Sequence, residues 1–172
     1  MLVTMVRITL LRDLAAMRRT VDAYPDDASL WAPCGGMPNV GGTLVLHCAG
    51  NLQHFIGATL GGTSYHRDRD AEFARRDVPR VELVAELDAT SLAVARALSG
   101  QPEITLDAAF PQPLGGRTLS VGTFLIHLTA HLAYHLGQLD YHRRAVTGSR
   151  ASIDAMSLAE LPTADAAGAE LE

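Results

Sequence analysis

The chain has 172 residues, of which 48% are hydrophobic, and it carries a net charge of −5 at neutral pH. This length suffices for one domain with a substantial core. The 14 basic residues are all arginine and form no basic patch of a size suited to nucleic acid. Cys34 and Cys48 are too few and too far apart for a disulfide framework or a Cys-x-x-Cys site.

The N-terminal segment and the apolar runs indicate where the protein resides. Arg7, Arg12, Arg18 and Arg19 are spread along the first apolar run, without the layout of a signal peptide. No apolar run reaches the roughly 18 residues that a membrane-spanning helix needs. We therefore expect a cytoplasmic protein that binds neither a membrane nor nucleic acid.

Four long helices are predicted from the spacing of apolar residues. Pro79 suits the first position of the third helix, because its missing N–H has no partner there anyway. Gly148 suits the end of the fourth, because helices commonly end on a left-handed glycine. The predicted helices span residues 4–24, 39 or 41 to 60, 79–99 and 121–147.

The connections between these helices differ in character. Residues 30–38 form a breaker-rich loop whose tryptophan is expected to cap the core. Residues 61–78 alternate arginines with carboxylates, which predicts a mixed polar surface with a helical turn near 71–74. Residues 103–120 predict two short β segments around a turn. The remainder, 151–172, is acidic and alanine-rich, and we expect a frayed tail or a short packed helix.

Four long helices without a strand-rich region predict an all-α four-helix bundle. We assign it to residues 1–150, followed by the tail at 151–172. The connection from the second to the third helix is long enough to return along the bundle, so we expect a crossover there. A small β-hairpin-like insertion is expected before the fourth helix.

Three histidines recur at a spacing of four in the fourth predicted helix: His127, His131 and His135. Residues four apart lie one turn above each other on the same face of a helix. Two imidazoles in this arrangement can bind one metal ion. The spacing alone leaves the pairs 127/131 and 131/135 equivalent, and it also suits histidines that face solvent or pair with carboxylates.

A further histidine supports the metal hypothesis. His47 lies in the apolar second helix, and a buried imidazole without a partner is costly. Together with a pair on the fourth helix it would make three ligands and an open position, which is the catalytic pattern. His54 is the reserve third ligand, and His127 is the reserve for the pair. Asn51 and Gln138 are candidates to orient a ligand or substrate, although ordinary helix hydrogen bonding suits them equally.

Other residues whose side chains could take part in chemistry are assigned structural roles. His66 and His142 lie in or next to charged segments and are expected to be solvated. Cys48 is about 100° from His47 around its helix and is expected to be a packed thiol. Tyr134 is expected to pack as well.

Several segments in order resemble the DinB-like family, and within it a branch of unassigned function. They are LHCAGNLQHF at 46–55, the glycine pair at 61–62, RDRDAEF at 67–73 and HLTAHLAYHLGQ at 127–138. The resemblance covers about residues 5–148. It departs from the family pattern at Leu136, where arginine is frequent, and at His54, where an aromatic residue is frequent.

The resemblance implies a four-helix bundle with a crossover and a divalent metal bound by three histidines, here His47, His131 and His135. Relatives include metal-dependent thiol S-transferases and a mycothiol-dependent isomerase, and homodimers are frequent. We therefore expect a homodimeric enzyme with zinc, nickel or iron, a low-molecular-weight thiol and a small-molecule substrate. The alternative is a non-catalytic, metal-stabilised binding or dimerisation bundle with a stress-related role. In a third hypothesis the histidines are merely structural.

Overall fold

A computed structural model describes residues 1–99 and 104–163 of the chain. Helices account for 61% of the described residues, which contain no β-strand, and this confirms the all-α class. A π-helical segment, Gln53–Ala58, directly follows the α-helix that ends at Leu52, and a 3-10 turn covers Leu158–Glu160. The α-helices are α1 (Leu2–Asp22), α2 (Asp27–Leu30), α3 (Gly41–Leu52), α4 (Arg69–Ala74), α5 (Arg80–Ala97) and α6 (Val121–Thr147).

The four long helices bury one shared apolar core. Helices α1 and α3 each pack against both α5 and α6, while the short α4 lies on α3 and α2 lies on α6. Fully buried leucines come from every long helix, among them Leu10, Leu52, Leu83 and Leu125. Burying such a side chain contributes roughly 1.5–3 kcal/mol. This packing brings α3 and α6 side by side. The crossover between the second and third long helices stays a prediction.

The helix ends follow local capping chemistry. The Ser120 side chain accepts a hydrogen bond from the Thr123 N–H at the start of α6, and Gly148 adopts a left-handed φ of 70° after its last residue. Pro79 immediately precedes α5. The short α2 was not predicted, although Asp26 caps it by accepting from the Ser29 N–H at 2.8 Å.

The connection before α6 contains two isolated antiparallel bridges, Ala109 with Ser120 and Leu114 with Arg117. Gly115 and Gly116 turn the chain between them with positive φ values of 56° and 77°. The predicted hairpin-like insertion is therefore present as single bridges without strands. The predicted third helix ends at residues 99–100, and of these residue 100 lies outside the described residues, as does the predicted start of the β segment at residue 103.

The segment after α6 lies against α1. Ile153 is buried, and its carbonyl accepts from Arg19 Nε. Arg19 also pairs with Glu160 at 2.9 Å. Arg143, which is buried in α6, donates to the Ala151 carbonyl at 2.7 Å. The first part of the predicted tail, residues 151–160, thus packs on α1 and α6 through these contacts. Residues 164–172 lie outside the described residues. The division at residue 150 stays a prediction.

The loop tryptophan closes one end of the core. Trp31 is mostly buried, and its indole N–H donates to the Val78 carbonyl at 3.1 Å. A Cβ at Gly42 would overlap the Trp31 ring, so α3 can begin against the indole only because glycine stands there. The helices in the described part of the chain include none with the length and hydropathy of a membrane span.

The prediction that His142 is solvated was wrong. Its side chain is fully buried, with Nε2 at 2.9 Å from the Ala32 carbonyl and Nδ1 at 2.8 Å from the Tyr24 hydroxyl. Nε2–H therefore donates to Ala32, and Nδ1 accepts from Tyr24. Burial lowers the pKa of His142, although the Ala32 carbonyl acts in the opposite direction. The error arose because sequence neighbours do not reveal which face of a helix is buried.

We predict that replacing His142 by glutamine weakens the dependence of stability on acid. Because the folded pKa of His142 lies below the ordinary value of 6.5, the unfolded chain binds the proton first, and the free energy of unfolding falls as the pH drops below about 6.5. The His142→Gln variant lacks this contribution, which is at most about 1.4 kcal/mol per pH unit. Urea unfolding between pH 7.5 and 5.0, with a chelator present, measures it.

The exposed His66 provides the matched control for this experiment. His66→Gln should follow the wild-type curve. Parallel pH curves for wild type and His142→Gln would contradict the assignment of a buried, neutral His142.

Candidate metal centre

Three histidines from two helices converge where α3 packs against α6. The Nε2 atom of His131 lies 3.3 Å from Nε2 of His47 and 3.1 Å from Nε2 of His135. One ligand atom from each residue lies within 4.8 Å of the others. His131 and His135 are one turn apart on α6, and His47 reaches them from the middle of α3. These are the three residues that the family resemblance implied as ligands, and the structure brings them together.

The spacing of these nitrogens fits a metal ion. Two nitrogens bound to zinc at about 2.0–2.1 Å in tetrahedral geometry lie about 3.3–3.4 Å apart. The two Nε2–Nε2 distances of 3.3 and 3.1 Å are close to this value. Imidazole suits zinc, nickel and iron alike. The group could therefore hold a divalent ion through three neutral rings, and it leaves further coordination positions open.

The second nitrogen of two of these rings faces an oxygen acceptor. Nδ1 of His47 lies 3.1 Å from Glu72 Oε2, and Nδ1 of His135 lies 2.7 Å from Gln138 Oε1. When Nδ1–H donates to these oxygens, the lone pair on Nε2 points to the shared space between the rings. Contacts of this kind are typical of metal-binding histidines. Gln138 was predicted as a ligand-orienting group, whereas Glu72 was not.

Burial keeps the rings on α6 ready to bind. Desolvation lowers the pKa of His131 to about 4, with additional contributions from the neighbouring His135, His47 and His127 rings and from Arg67. Desolvation also lowers the pKa of His135, although the Gln138 contact acts in the opposite direction. Both rings are therefore neutral at neutral pH. A neutral imidazole is the form that binds a metal.

The prediction of a mixed polar surface for residues 61–78 was wrong at two positions. Arg67 and Glu72 turn inward and form a bidentate pair, with Nε to Oε1 at 2.6 Å and Nη2 to Oε2 at 2.8 Å. Burial raises the pKa of Glu72, but hydrogen bonds from Arg67 and His47, together with their charges, outweigh this and lower it. The spacing of five between arginine and glutamate gave no periodic signal. Only the packing of α4 on α3 directs them towards His47.

The reserve ligands lie outside the three-histidine group. Nε2 of His54 is 3.1 Å from the Gln112 amide. His127 is exposed and stacks on Phe124, with a centroid distance of 5.8 Å and an angle of 13°. Asn51 is buried, and its Oδ1 has no hydrogen-bond partner within residues 1–99 and 104–163. Asn51 therefore keeps a free acceptor one turn after His47.

Aromatic rings surround the polar centre. The Phe73 ring lies 5.0 Å from the His47 ring, and the Arg67 guanidinium lies 5.7 Å above the Phe55 ring. Phe55 also packs edge-on against Phe124 at 4.9 Å. This apolar surrounding lowers the local polarity and so strengthens the electrostatic interactions within the site.

A cavity of about 270 Å³ is lined in part by Gln138, the residue whose side chain contacts the His135 ring. Its lining is mostly apolar, with Gln138 and Asn39 as the polar members. The lining residues are Met37, Pro38, Asn39, Leu44, Gly137, Gln138 and Tyr141.

The fold and the site define an all-α protein with a candidate metal centre of three histidines. The chain belongs to the DinB superfamily, whose sequence model matches residues 9–139. The match includes all three histidines, and DinB-like proteins are metal-binding. Searches of curated proteins and of solved structures returned no match.

We predict that His131→Ala abolishes metal binding. His131 contacts both other rings, so its loss leaves two donors from different helices. Purification without a histidine tag, followed by elemental analysis, should give one metal ion per wild-type chain and a small residual fraction in the variant. His127→Ala is the matched control on the same helix and should retain the ion. Stoichiometric metal in His131→Ala would refute the assignment.

Proposed function

We propose that the chain is a divalent-metal-dependent S-transferase, which joins the sulfur of a low-molecular-weight thiol to a small electrophilic substrate. The observation that carries this proposal is the convergence of three imidazole nitrogens that no carboxylate or thiol joins among the described residues. Three protein ligands with an open position are typical of catalytic sites, whereas structural zinc sites usually have four. Thiol S-transferases are also among the relatives that the sequence resemblance implies.

The charge balance around the three histidines favours an anionic ligand. The ligand rings are neutral when they bind, and the Glu72 carboxylate is balanced by Arg67 at 2.6 Å. A divalent ion at this place would therefore keep its positive charge largely uncompensated. A thiol that loses its proton there becomes the matching anion.

His47, His131 and His135 would hold the divalent ion, which would supply Lewis-acid chemistry by lowering the pKa of a bound thiol or water. The protein's own part is to present the donors. Glu72 and Gln138 accept hydrogen bonds from His47 and His135, which orients both rings. Burial keeps His131 unprotonated. Phe73 packs against the His47 ring, and Phe55 packs against the Arg67 guanidinium.

In the proposed reaction the thiol loses its proton to solvent, and its sulfur donates an electron pair to an electrophilic carbon. The sulfur–carbon bond forms as the bond to the leaving group breaks, and the leaving group departs with that electron pair. No net oxidation or reduction takes place, so the reaction needs no redox partner. Zinc, nickel and iron(II) can all fill the proposed role.

Two features near the three histidines are proposed to contact the small molecules. The buried Asn51 Oδ1 would accept a hydrogen bond from the thiol compound or the substrate, because a buried acceptor without a partner is costly. The cavity beside Gln138 would take an apolar part of the substrate, since its lining is mostly apolar.

We predict that the cobalt-substituted protein responds to thiols. Titration with glutathione, mycothiol and bacillithiol should produce sulfur-to-cobalt charge-transfer absorption with at least one of them. His131→Ala treated with cobalt in the same way should lack these bands. No response to any thiol, together with no turnover of electrophiles, would contradict the transferase proposal and support the non-catalytic, metal-stabilised binding bundle.

We also propose that the protein forms a homodimer through the outer face of α6. The exposed positions of α6 carry no aspartate, glutamate or arginine, although the exposed positions of α5 include Glu82, Asp88 and Arg96. An uncharged face along a 27-residue helix can meet the same face of a second copy without bringing like charges together, as a twofold interface requires. Its members are Thr123, Ile126, His127, Ala130, Tyr134, Gly137, Tyr141 and Ala145.

Gly137, which also lines the cavity beside Gln138, adds a second argument for the dimer. A glycine inside a helix costs about 1 kcal/mol relative to alanine. Nothing within 4 Å would meet a Cβ at Gly137, so packing within the described part of the chain does not require glycine there. Close approach of a second helix would require it.

We predict that Tyr141→Arg converts the dimer to a monomer. Tyr141 is 70% exposed, and a charge at this position would be buried without a partner in the interface. Sedimentation velocity at micromolar concentration measures the mass. Leu92→Arg is the matched control, because Leu92 is 50% exposed on α5, and it should remain dimeric. A monomeric wild type would refute the dimer.

A further inference from the structure

We propose that Glu72 is the positioning residue that sets the ring tautomer of His47. Arg67 holds the Glu72 carboxylate in place, and Gly50 provides the space for it. This inference rests on the proposed metal centre and names the residues that prepare one of its ligands. Glu72 contacts His47 on the side opposite to Nε2, so it acts through the ring and is not itself one of the three donors.

The Glu72 carboxylate can accept hydrogen bonds but cannot donate them. Its Oε2 lies 3.1 Å from Nδ1 of His47, and both of its oxygens accept from the Arg67 guanidinium. Nδ1 must therefore carry the ring proton to avoid facing the carboxylate with its own lone pair. The proton on Nδ1 leaves the Nε2 lone pair free, directed at His131 and His135.

Arg67 on its own would favour the other tautomer of His47. Its Nη2 lies 3.5 Å from Nδ1 of His47, and a guanidinium can only donate. Without the carboxylate, Nδ1 would accept from Arg67, and the ring proton would move to Nε2, where it blocks a metal. The presence of Glu72 between the two basic groups decides between these tautomers.

Gly50 leaves the space that the Glu72 carboxylate needs beside His47. It lies three residues after His47 on α3, and a Cβ at this position would overlap the Glu72 carboxylate. The Glu72 carboxylate thus lies directly against the α3 backbone at Gly50. Any side chain at position 50 would displace Glu72 from His47 while leaving all three ligands unchanged.

The short helix α4 places Glu72 for its contact with His47. Asp68 caps it by accepting from the Ala71 N–H at 2.9 Å, which determines where its first turn begins. The next residues bring Glu72 to Nδ1 of His47 and the Phe73 ring to a centroid distance of 5.0 Å from the His47 ring. A helix of six residues has little stability of its own, so its contacts with α3 hold it in place.

The experiment measures zinc affinity by competition with a chromophoric chelator, for the wild type and for Glu72→Gln. The amide can either accept from or donate to Nδ1, so the tautomer of His47 is no longer set, and we expect a 10- to 100-fold weaker affinity, as is typical for a lost carboxylate partner. Glu82→Gln is the matched control on the exposed surface and should bind zinc like the wild type.

Gly50→Ala tests the same contact without changing a polar group. It should also weaken zinc binding at least 10-fold, by displacing Glu72. Gly42→Ala is its matched control, because it introduces an overlap in the same helix against Trp31 and not against Glu72. Gly42→Ala should lower the melting temperature and keep the zinc affinity of the folded protein.

Long-range ¹H–¹⁵N spectra of the imidazole rings, recorded on the zinc-free protein, separate the two proposals. The wild type should show His47 protonated at Nδ1, and Glu72→Gln should shift the population towards protonation at Nε2. Unchanged zinc affinity and an unchanged tautomer in Glu72→Gln would overturn the role of Glu72. A wild type that shows the Nδ1–H tautomer but binds no divalent metal would instead overturn the proposed function.

Discussion

The approach of His47 on α3 to His131 on α6, at 3.3 Å between their Nε2 atoms, constrains the rest of the structure. Nitrogens at this distance can share the space only as neutral rings or around a cation, because protonated imidazoles would repel each other. Both histidine-bearing helices must therefore be held rigidly. The apolar contacts of α3 and α6 with α1 and α5 provide that rigidity.

The constraint extends outward through buried polar groups. Glu72 and Gln138 accept from the Nδ1 atoms of His47 and His135, and Arg67 in turn compensates the Glu72 charge. The glycines of α3 make this possible, because Gly50 leaves space for Glu72 as Gly42 does for Trp31. The glycine content of α3 thus weakens the helix locally and allows two close contacts in return.

The same geometry connects the centre to the proposed chemistry. The His131 and His135 rings are neutral at neutral pH, and Arg67 balances the charge of Glu72. No fourth donor joins the three histidines among the described residues, so an anion could bind beside them. A low-molecular-weight thiol meets this requirement as a proposed ligand. The uncharged outer face of α6 lies on the helix that carries His131 and His135, so the proposed dimer would form next to the centre.

The sequence by itself determined the features that depend on local interactions. Apolar periodicity and capping residues predicted α6 over residues 121–147, and the spacing of His131 and His135 predicted two imidazoles on one face. Only the tertiary structure decided which distant groups meet. His142 proved buried against Tyr24, and Glu72 proved to be the partner of His47, 25 residues away. The reason is physical: a helix repeats every 3.6 residues and reveals its faces, whereas contacts between helices depend on how those faces pack, which no local pattern encodes.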